Sequence, residues 1–496
     1  MSLSMRAAPA ILNPPMTVGS APVPTGNLER SLLQRLAQAL EDDRVGYCQW
    51  KGHWGTQRWT VGDSDIDLLV DHRAVPAFRR IIGKLGFKPA VLPGERQLPG
   101  VENYFGYDPG VSRLLHLHVQ YRLVLGDYWR TTYRLPLELP ILEATMAGSL
   151  FRVPSLEFQL LIFVFRLVLR QRGRLPSSRW FKGTQIQLDD LADRCDRDAL
   201  ARILQQHLPS VDVAFFERCV SWLRQGCDPW EQVALPWQLH RRLRPHARRP
   251  QLAALFSAAV EKTLPEVIGQ AILTTGMRSA RGGTVVALIG GDGSGKTTCA
   301  RELEQWLSPG LAAIRAQLGN PPRSFLSLVV GGALKAEQAI ARALGRESPS
   351  GSSLELLRYL CMARDCYRLY EKVQRFSTGG GIAVCERYPV SEIPSHVGPR
   401  IGPLLPARPD ALCRLLQSAE VSYYQRMLRP GLLLVLQLDP ELAVARKPDE
   451  PAEYVRTRGR IVWETDWSAT AAELVDASQP LPQVLDDLKA RVWRAL

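Results

Sequence analysis

The sequence has no disulfide or zinc-binding pattern of cysteines. Its nine cysteines are an odd number, are scattered along the chain and never form a CxxC pair. This spacing disfavours a disulfide framework or a zinc ribbon and favours free thiols in a reducing compartment. We therefore expect a cytoplasmic protein.

Long apolar runs are also missing. The longest, from Phe158 to Leu169, is interrupted by Arg166, and a helix that spans a bilayer needs roughly 18 apolar residues. Residues 1–27 are rich in Pro, Ala, Ser and Thr, and prolines break their apolar stretch. We expect a disordered extension there rather than a secretory signal, and we predict no membrane span.

The composition that remains is that of an ordinary folded protein. The chain has 496 residues, of which 46% are apolar and 22% are charged, so more than one domain is expected. A net charge of +13 suits polyanionic partners such as nucleoside triphosphates, sugar phosphates or nucleic acid. Charge alone does not choose among these partners.

The pattern of apolar residues divides the chain into three folded regions. Residues 28–150 mix helical and strand-like segments, residues 151–277 are helical in period, and residues 278–496 alternate strand and helix. Apolar strands of the last region are predicted at Thr284–Ile289, Ile382–Cys385, Leu432–Leu438 and Glu473–Val475, after a linker at Arg278–Gly283. Such continuous apolar runs are typical of a doubly wound parallel sheet in an α/β domain.

A phosphate-binding motif follows the first of these strands. The motif GxxxxGK[ST] is matched completely by Gly290, Gly291, Asp292, Gly293, Ser294, Gly295, Lys296 and Thr297, and Thr298 follows it. Glycines let backbone N–H groups converge on phosphate oxygens at the start of a helix. We predict that Lys296 holds the β and γ phosphates of ATP and that Thr297 contributes a hydroxyl to Mg²⁺.

With further motifs, this P-loop region resembles the thymidylate kinase family of nucleoside monophosphate kinases. The matching pieces are GGDGSGKTT, ERYP at 386–389, LQLDPELAVARK and ELVDAS. The resemblance implies that Asp292 faces the sugar of the acceptor. It also implies that Glu386 organises Mg²⁺ or its waters, and that Arg387 grips the acceptor phosphate.

One further stretch adds to the resemblance with the thymidylate kinase family, and another stretch departs from it. The segment from Lys447 to Arg460 carries Arg456 and Arg458 and looks like a lid that closes over the phosphates, although a polar surface helix is the alternative. In CMARDCYR, Cys366 stands where this family has an acceptor-binding arginine, which leaves Arg364 and Arg368 as substitutes. The acceptor is therefore left open.

The first region carries a carboxylate pair, Asp65 and Asp67, about a dozen residues after Lys51-Gly52. Two aspartates at this spacing can share a divalent cation, and the arrangement resembles the DNA polymerase β-like nucleotidyltransferase superfamily. That superfamily usually has a third carboxylate on a later strand, and LLHLHVQYRLVLG offers His116, His118 and Gln120 instead. Two interpretations of the histidines stay open: His118 acts as a base or ligand, or the two histidines form a hydrogen-bonded pair. Two interpretations of the domain also stay open: an active transferase, or a relic that binds a nucleotide or sugar.

The two halves together resemble bacterial proteins, often associated with surface-polysaccharide biosynthesis, that join a nucleotidyltransferase-like domain to a thymidylate-kinase-like domain. The leading hypothesis is an ATP- and Mg²⁺-dependent kinase for a nucleotide or sugar phosphate. A nucleic-acid end-processing enzyme, which is disfavoured, and an ATP-gated regulator are the alternatives, and a homodimer stays open. We also expect separate cores for the two sites, so that changes at Asp65 and Asp67 leave the kinase unaffected.

Overall fold

The computed structural model describes residues 30–54, 64–92, 98–126, 132–170, 178–225, 229–248, 276–344 and 351–496, so the predicted extension 1–27 lies outside the described residues. The helices are α1 (Leu32–Asp42), α2 (Val75–Lys84), α3 (Glu138–Glu143), α4 (Leu156–Arg170), α5 (Ser178–Arg194), α6 (Arg197–His207), α7 (Val213–Gln225), α8 (Pro229–Arg242), α9 (Lys296–Leu307), α10 (Phe325–Ala343), α11 (Ser353–Thr378), α12 (Ala411–Gln425), α13 (Pro440–Arg446), α14 (Ala452–Glu464) and α15 (Leu481–Ala495). The strands are β1 (Tyr47–Lys51), β2 (Ile66–Val70), β3 (Lys88–Val91), β4 (Val101–Asp108), β5 (Arg113–Gln120), β6 (Val124–Gly126), β7 (Thr132–Arg134), β8 (Thr145–Met146), β9 (Val153–Pro154), β10 (Arg278–Ser279), β11 (Thr284–Gly290), β12 (Ala313–Gln317), β13 (Ile382–Glu386), β14 (Leu432–Gln437) and β15 (Ala472–Asp476).

The first sheet is mixed and has the strand order β1-β2-β5-β4-β3-β10 in the described part of the chain. Strands β2 and β5 are parallel, whereas the other neighbouring strands are antiparallel. Alternate residues of β2 point to opposite faces, so Leu68 packs with α1 and α2 while Leu69 packs with α4 to α8. The predicted helical region therefore covers one face of this sheet.

The second sheet is wholly parallel and has the strand order β12-β13-β11-β14-β15. Its central strand, TVVALIG, is buried on both faces: Val286 and Leu288 pack toward α9 and α15, and Val285 and Ala287 pack toward α11. The four strands predicted from apolar runs are confirmed. The chain is thus a mixed α/β protein, and the carboxyl ends of β11 and β13 lie side by side.

Two expectations about this region were incomplete. Strand β12 was not predicted, because AIRAQ is an edge strand with exposed polar residues rather than an apolar run. The predicted linker Arg278–Gly283 contains β10, which pairs with β3 and so belongs to the first sheet. Strand β10 has only two residues, which is too few to show the alternation of apolar and polar residues that predicts a strand.

The expectation of separate cores holds for only part of the chain. Two apolar clusters contain residues of the first two regions alone and one contains residues of the last region alone, whereas a fourth contains residues of both. Phe105 and Tyr107 of β4 lie in the same apolar cluster as residues of α9, α15 and the parallel sheet. Polar contacts cross the same boundary: Trp493 Nε1 donates to Gly86 O at 3.1 Å, and Lys489 Nζ donates to Ser112 Oγ at 2.8 Å. The two sheets therefore share one apolar cluster.

None of the helices within the described ranges is both long enough and apolar enough to cross a membrane.

Candidate functional site

The loop from Gly290 to Lys296 joins the central parallel strand to α9. Gly293 and Gly295 both have φ of 84°, in the left-handed region that favours glycine, and Gly295 is the residue that precedes α9. A Cβ on Gly291 would lie 2.9 Å from Gly459 Cα, so α14 packs directly on the loop backbone. Helix α14 thus closes one side of a loop whose shape depends on glycine.

Lys296 is the first residue of α9 and is 8% exposed. Its Nζ donates to Gly291 O at 2.5 Å, so the side chain folds back over the loop. Burial is the main cause that lowers the pKa of Lys296 to about 8, with Asp292 opposing the shift and the nearby Arg387 and Arg458 contributing to it. A desolvated ammonium at a helix N-terminus is suited to an anion that replaces its lost hydration.

Ser294, inside the loop, is 3% exposed, and its Oγ has no hydrogen-bond partner among the described residues. A buried hydroxyl without a partner costs about 1–3 kcal/mol, so such atoms usually meet a ligand or water. Together with the left-handed glycines of the loop, this unpartnered hydroxyl is suited to a phosphate group.

Thr297 and Glu386 form the second part of the site. Glu386 ends β13, the neighbour of β11, and is 3% exposed. The Thr297 hydroxyl donates to Glu386 Oε2 at 2.6 Å. A hydroxyl and a carboxylate are the oxygen ligands that Mg²⁺ prefers, so the pair fits that ion. Thr298 follows on α9 and is half-buried.

Three cations converge on the carboxylate of Asp292. Arg458 Nε lies 2.7 Å from Asp292 Oδ2, and the nearest Arg387 nitrogen lies 3.5 Å from Oδ1. Lys296 Nζ is 3.9 Å from the same Oδ1. Arg458 belongs to α14, Arg387 follows β13, and Lys296 opens α9, so elements distant in the sequence bring their charges to one loop.

Arg387 is held in an uncommon backbone conformation, with φ of 51°. A residue other than glycine in this region costs on the order of 1–3 kcal/mol, which the surrounding structure must offset. A Cβ on Gly319 would lie 2.9 Å from the Arg387 Cβ and Cδ atoms, so the chain after β12 presses on this side chain. Tyr388 is anchored by a hydrogen bond from its hydroxyl to Leu428 O at 2.6 Å.

Arg456, the other predicted lid arginine, lies apart from Asp292. It contacts Glu441 of α13 at 2.6 Å and Glu453 of its own helix at 2.8 Å. The structure therefore brings Arg458, but not Arg456, to the loop. Residues two positions apart in a helix point in directions about half a turn apart, so only one of the two arginines faces the loop, and the sequence alone did not show which one.

The sequence analysis missed His396 and Gly459. His396 Nε2 donates to Arg458 O at 3.3 Å, and burial, followed by the charge of Arg458, lowers the pKa of His396 to about 4. A neutral imidazole thus supports the helix that carries Arg458. The sequence did contain a signal for Gly459. A glycine inside a helix lowers the stability of the helix, so its presence often marks a place where another backbone approaches closely.

Helix α11 carries the residues considered for binding the acceptor. Cys366 is 1% exposed and packs against the parallel sheet, so its thiol has no access to an acceptor. Arg368 lines a pocket of about 450 Å³ together with Arg323, Lys372 and Arg375. None of the loop residues Gly290–Thr297 lines that pocket.

The carboxylate pair of the first sheet is paired with histidines of β5. His116 Nδ1 donates to Asp65 Oδ1 at 2.8 Å, and this bond lowers the pKa of Asp65. His118 Nδ1 donates to Asp67 Oδ1 at 2.9 Å. The residue predicted in the preceding turn, Lys51, places its Nζ 2.8 Å from the same Asp67 oxygen.

This arrangement does not fit a metal ion shared by Asp65 and Asp67. The Oδ1 atom of Asp67 already receives an ammonium and an imidazole N–H, while Asp65 is held by His116. Within the described ranges, no group of three or more His, Cys, Asp or Glu side chains is placed to hold a metal. The metal role of the pair stays a prediction.

Asp65 and His116 open onto a cleft between the two sheets. The cleft has a volume of about 630 Å³ and is lined on its other side by Trp306 at the end of α9 and by Lys489 of α15. Helix α9 therefore has the loop at its start and this cleft at its end. Tyr107 of β4 packs edge-on against Trp306, with ring centroids 5.4 Å apart.

Comparisons with known proteins show distant similarity. The chain is 26% identical over 221 residues to the Escherichia coli K12 protein named "Uncharacterized ATP-binding protein YghR", a match that covers 42% of this chain and 86% of that protein. It is 25% identical over 231 residues to the Escherichia coli K12 protein named "Uncharacterized ATP-binding protein YghS", covering 43% of this chain and 93% of that protein. No protein-family model matches the chain.

Proposed function

We propose that the C-terminal region binds ATP with Mg²⁺ and transfers the γ-phosphate to a phosphorylated acceptor. The convergence of Lys296, Arg387 and Arg458 around the glycine-rich loop is the observation that carries this proposal. Phosphoryl transfer depends on positioning and on neutralising the charge of the phosphates, and not on a covalent catalyst. The names of the two Escherichia coli relatives support ATP as the nucleotide.

Each residue has a part in this proposal. The loop backbone and the Ser294 hydroxyl hold phosphate oxygens, and Lys296 moves from Gly291 O to the β and γ phosphates. Thr297 and Glu386 hold Mg²⁺, which neutralises charge on the phosphates when bound. Arg458 leaves Asp292 to contact the transferred group and Arg387 leaves it to contact the acceptor phosphate, since phosphate oxygens accept bidentate hydrogen bonds from arginine as a carboxylate does.

The acceptor is a nucleoside monophosphate or a phosphorylated sugar. Arg387 lies at the carboxyl end of β13, beside the loop, and its guanidinium is 3.5 Å from Asp292, which supports a role for this cation in binding the acceptor phosphate. Cys366 in place of an acceptor-binding arginine favours a substrate other than thymidylate. Nucleotidyl transfer by the first sheet stays a prediction, because its residues as placed do not fit the metal ions on which that reaction depends.

A direct test is to incubate the purified chain with γ-labelled ATP, Mg²⁺ and, in separate reactions, nucleoside monophosphates and sugar phosphates. We expect label on one acceptor class, identified by chromatography of the products. A matched set of reactions with short DNA and RNA ends tests the nucleic-acid alternative. Label on the oligonucleotide alone would contradict the proposed acceptor class, and label on none of them would contradict the kinase assignment.

A further inference from the structure

Five side chains of the first region form a cluster on the face of the sheet that α4 covers: Trp50, Lys51, Asp67, His118 and Arg166, here called the Trp50 cluster. Lys51 Nζ lies 5.0 Å from the centroid of the Trp50 ring, and the guanidinium carbon of Arg166 lies 5.7 Å from it. Lys51 and His118 both reach Asp67 Oδ1. Two cations thus lie close to one tryptophan ring, and one carboxylate contacts the first of them.

The cluster has more positive than negative charge. Asp67 is its one carboxylate, and its Oδ1 is already engaged by Lys51 and His118. Among the described residues, no carboxylate lies within ion-pair distance of Arg166. Arg170, one turn further along α4, adds a third positive charge nearby. Burial, followed by the charge of Arg170, lowers the pKa of Arg166 to about 10, and burial also lowers the pKa of Lys51.

The cluster also contains a hydrogen-bond donor without an acceptor. Trp50 is 3% exposed, and its indole Nε1–H has no partner among the described residues. A buried N–H that loses water without gaining an acceptor is destabilising by about 1–3 kcal/mol. Lys51 is 22% exposed in its side chain, so the cluster reaches solvent at the ammonium end. Excess cations and an unpaired N–H both indicate a ligand that accepts hydrogen bonds and carries negative charge.

We propose that the Trp50 cluster binds a phosphate-type oxyanion directly, with the Lys51 ammonium in the place that a divalent cation takes in a metal-dependent site. A phosphate has several acceptor oxygens, which suits the planar fork of Arg166 and the single N–H of Trp50 together. The ligand is a phosphorylated small molecule, either a nucleotide or a sugar phosphate. This inference is independent of the kinase proposal, because it uses none of the loop residues.

The test follows the indole N–H resonance of Trp50 by NMR, identified by its loss in Trp50→Phe. The full chain carries Lys296→Ala, so that the P-loop does not contribute, and EDTA removes divalent ions. Pyrophosphate should shift the resonance downfield in a saturable manner. Lys51→Met and Arg166→Met should each weaken the binding by about tenfold. Lys51→Arg should keep it, and Lys335→Met, an exposed lysine of α10, is the matched control.

A second variant is expected to change pyrophosphate affinity in opposite directions for a direct oxyanion site and for a metal-dependent site. Asp67→Asn releases Lys51 from its counter-ion, so we expect pyrophosphate to bind about tenfold more tightly. In a metal-dependent site the same change would remove a ligand and abolish binding. A shift that requires Mg²⁺ and disappears in Asp67→Asn would overturn the proposal, as would no shift at all. Parallel titrations with ATP and glucose 1-phosphate identify the source of the phosphate, and a failure of both also contradicts the proposal.

Discussion

Lys296 is the residue whose ionisation is most sensitive to ligand. Its pKa of about 8 in the free protein is low because burial removes its hydration, and phosphate oxygens would raise the pKa again by stabilising the ammonium. ATP binding above pH 8 should therefore take up a proton. We expect an affinity that is constant below pH 8 and falls by about tenfold per pH unit above it.

Calorimetry in two buffers with different ionisation enthalpies, at pH 9, measures this proton uptake. Lys296→Arg is the matched variant, because arginine stays protonated throughout this range. It should bind ATP without proton uptake. Equal proton uptake by the variant and the natural chain would mean that another group titrates.

Arg387 should matter more for the acceptor than for ATP, because it follows β13 while the loop that holds ATP follows β11. A charge-assisted hydrogen bond to phosphate contributes about 1.5–3 kcal/mol, so Arg387→Ala should raise the KM of the acceptor by at least tenfold. The KM of ATP should change by about twofold or less. Arg342→Ala, an exposed arginine of α10, is the control. Equal losses for both substrates would contradict the acceptor role.

At the level of single residues, the sequence predicted the loop well because glycine, lysine and threonine at fixed spacing have one strong physical use. It did not predict which arginine of α14 meets the loop, since that depends on the rotation of the helix about its axis. Nor did it predict that Lys51 pairs with Asp67. That contact depends on the antiparallel register of β1 and β2, which opposes Lys51 to Asp67 after a bulge.

Among the elements, α14 packs on the loop at Gly291 and carries Arg458. The contact is backbone to backbone at Gly291 and Gly459, so a methyl group at Gly291 would push α14 and Arg458 away. We expect Gly291→Ala to lower kcat by at least about tenfold, a barrier increase of about 1.4 kcal/mol. Thermal stability should fall less than activity, since most of the fold is untouched.

The matched control is Gly332→Ala in α10, where an added Cβ meets nothing within 4 Å. This change should leave kcat unaltered and stabilise the chain by up to about 1 kcal/mol, because alanine favours a helix over glycine. Urea unfolding and steady-state kinetics on both variants make the comparison. Normal activity in Gly291→Ala would show that α14 need not stay close to the loop.

The strands that were predicted share one property, a continuous run of apolar residues. Strands β11, β13 and β14 are buried on both faces and were recognised from their continuous hydrophobic residues. Strand β10 has two residues and forms only because β3 offers an edge. Its presence depends on tertiary structure, which local sequence does not record.

At the scale of the whole molecule, the two sheets are joined by a shared apolar core. Phe105 of β4 stacks on His116 with ring centroids 4.5 Å apart, and a Cβ at Gly310 would collide with the Phe105 ring. Phe105→Ala should destabilise the chain by about 3–5 kcal/mol. Because one apolar cluster contains residues of both sheets, we expect one unfolding transition that moves as a whole in urea.

Phe325→Ala is the control for that experiment, since Phe325 is 82% exposed on α10 and its loss should change stability by at most about 0.5 kcal/mol. Unfolding in urea is followed with one probe for each region: occupancy of the ATP site for the last region and the Trp50 resonance for the first. If Phe105→Ala lowered the urea midpoint of the transition followed by the Trp50 resonance but left the midpoint followed by ATP-site occupancy unchanged, the two regions would be independent domains.

We propose phosphoryl transfer at the glycine-rich loop, and the sharpest test of this claim is a single-turnover experiment with γ-labelled ATP. With enzyme in excess over ATP, Mg²⁺ and the acceptor present, we predict that label leaves ATP and appears on the acceptor in equal amounts. Lys296→Ala should abolish this transfer while the chain stays folded. Label that appears only as inorganic phosphate, ATP that is held without turnover, or undiminished transfer by Lys296→Ala would contradict the claim.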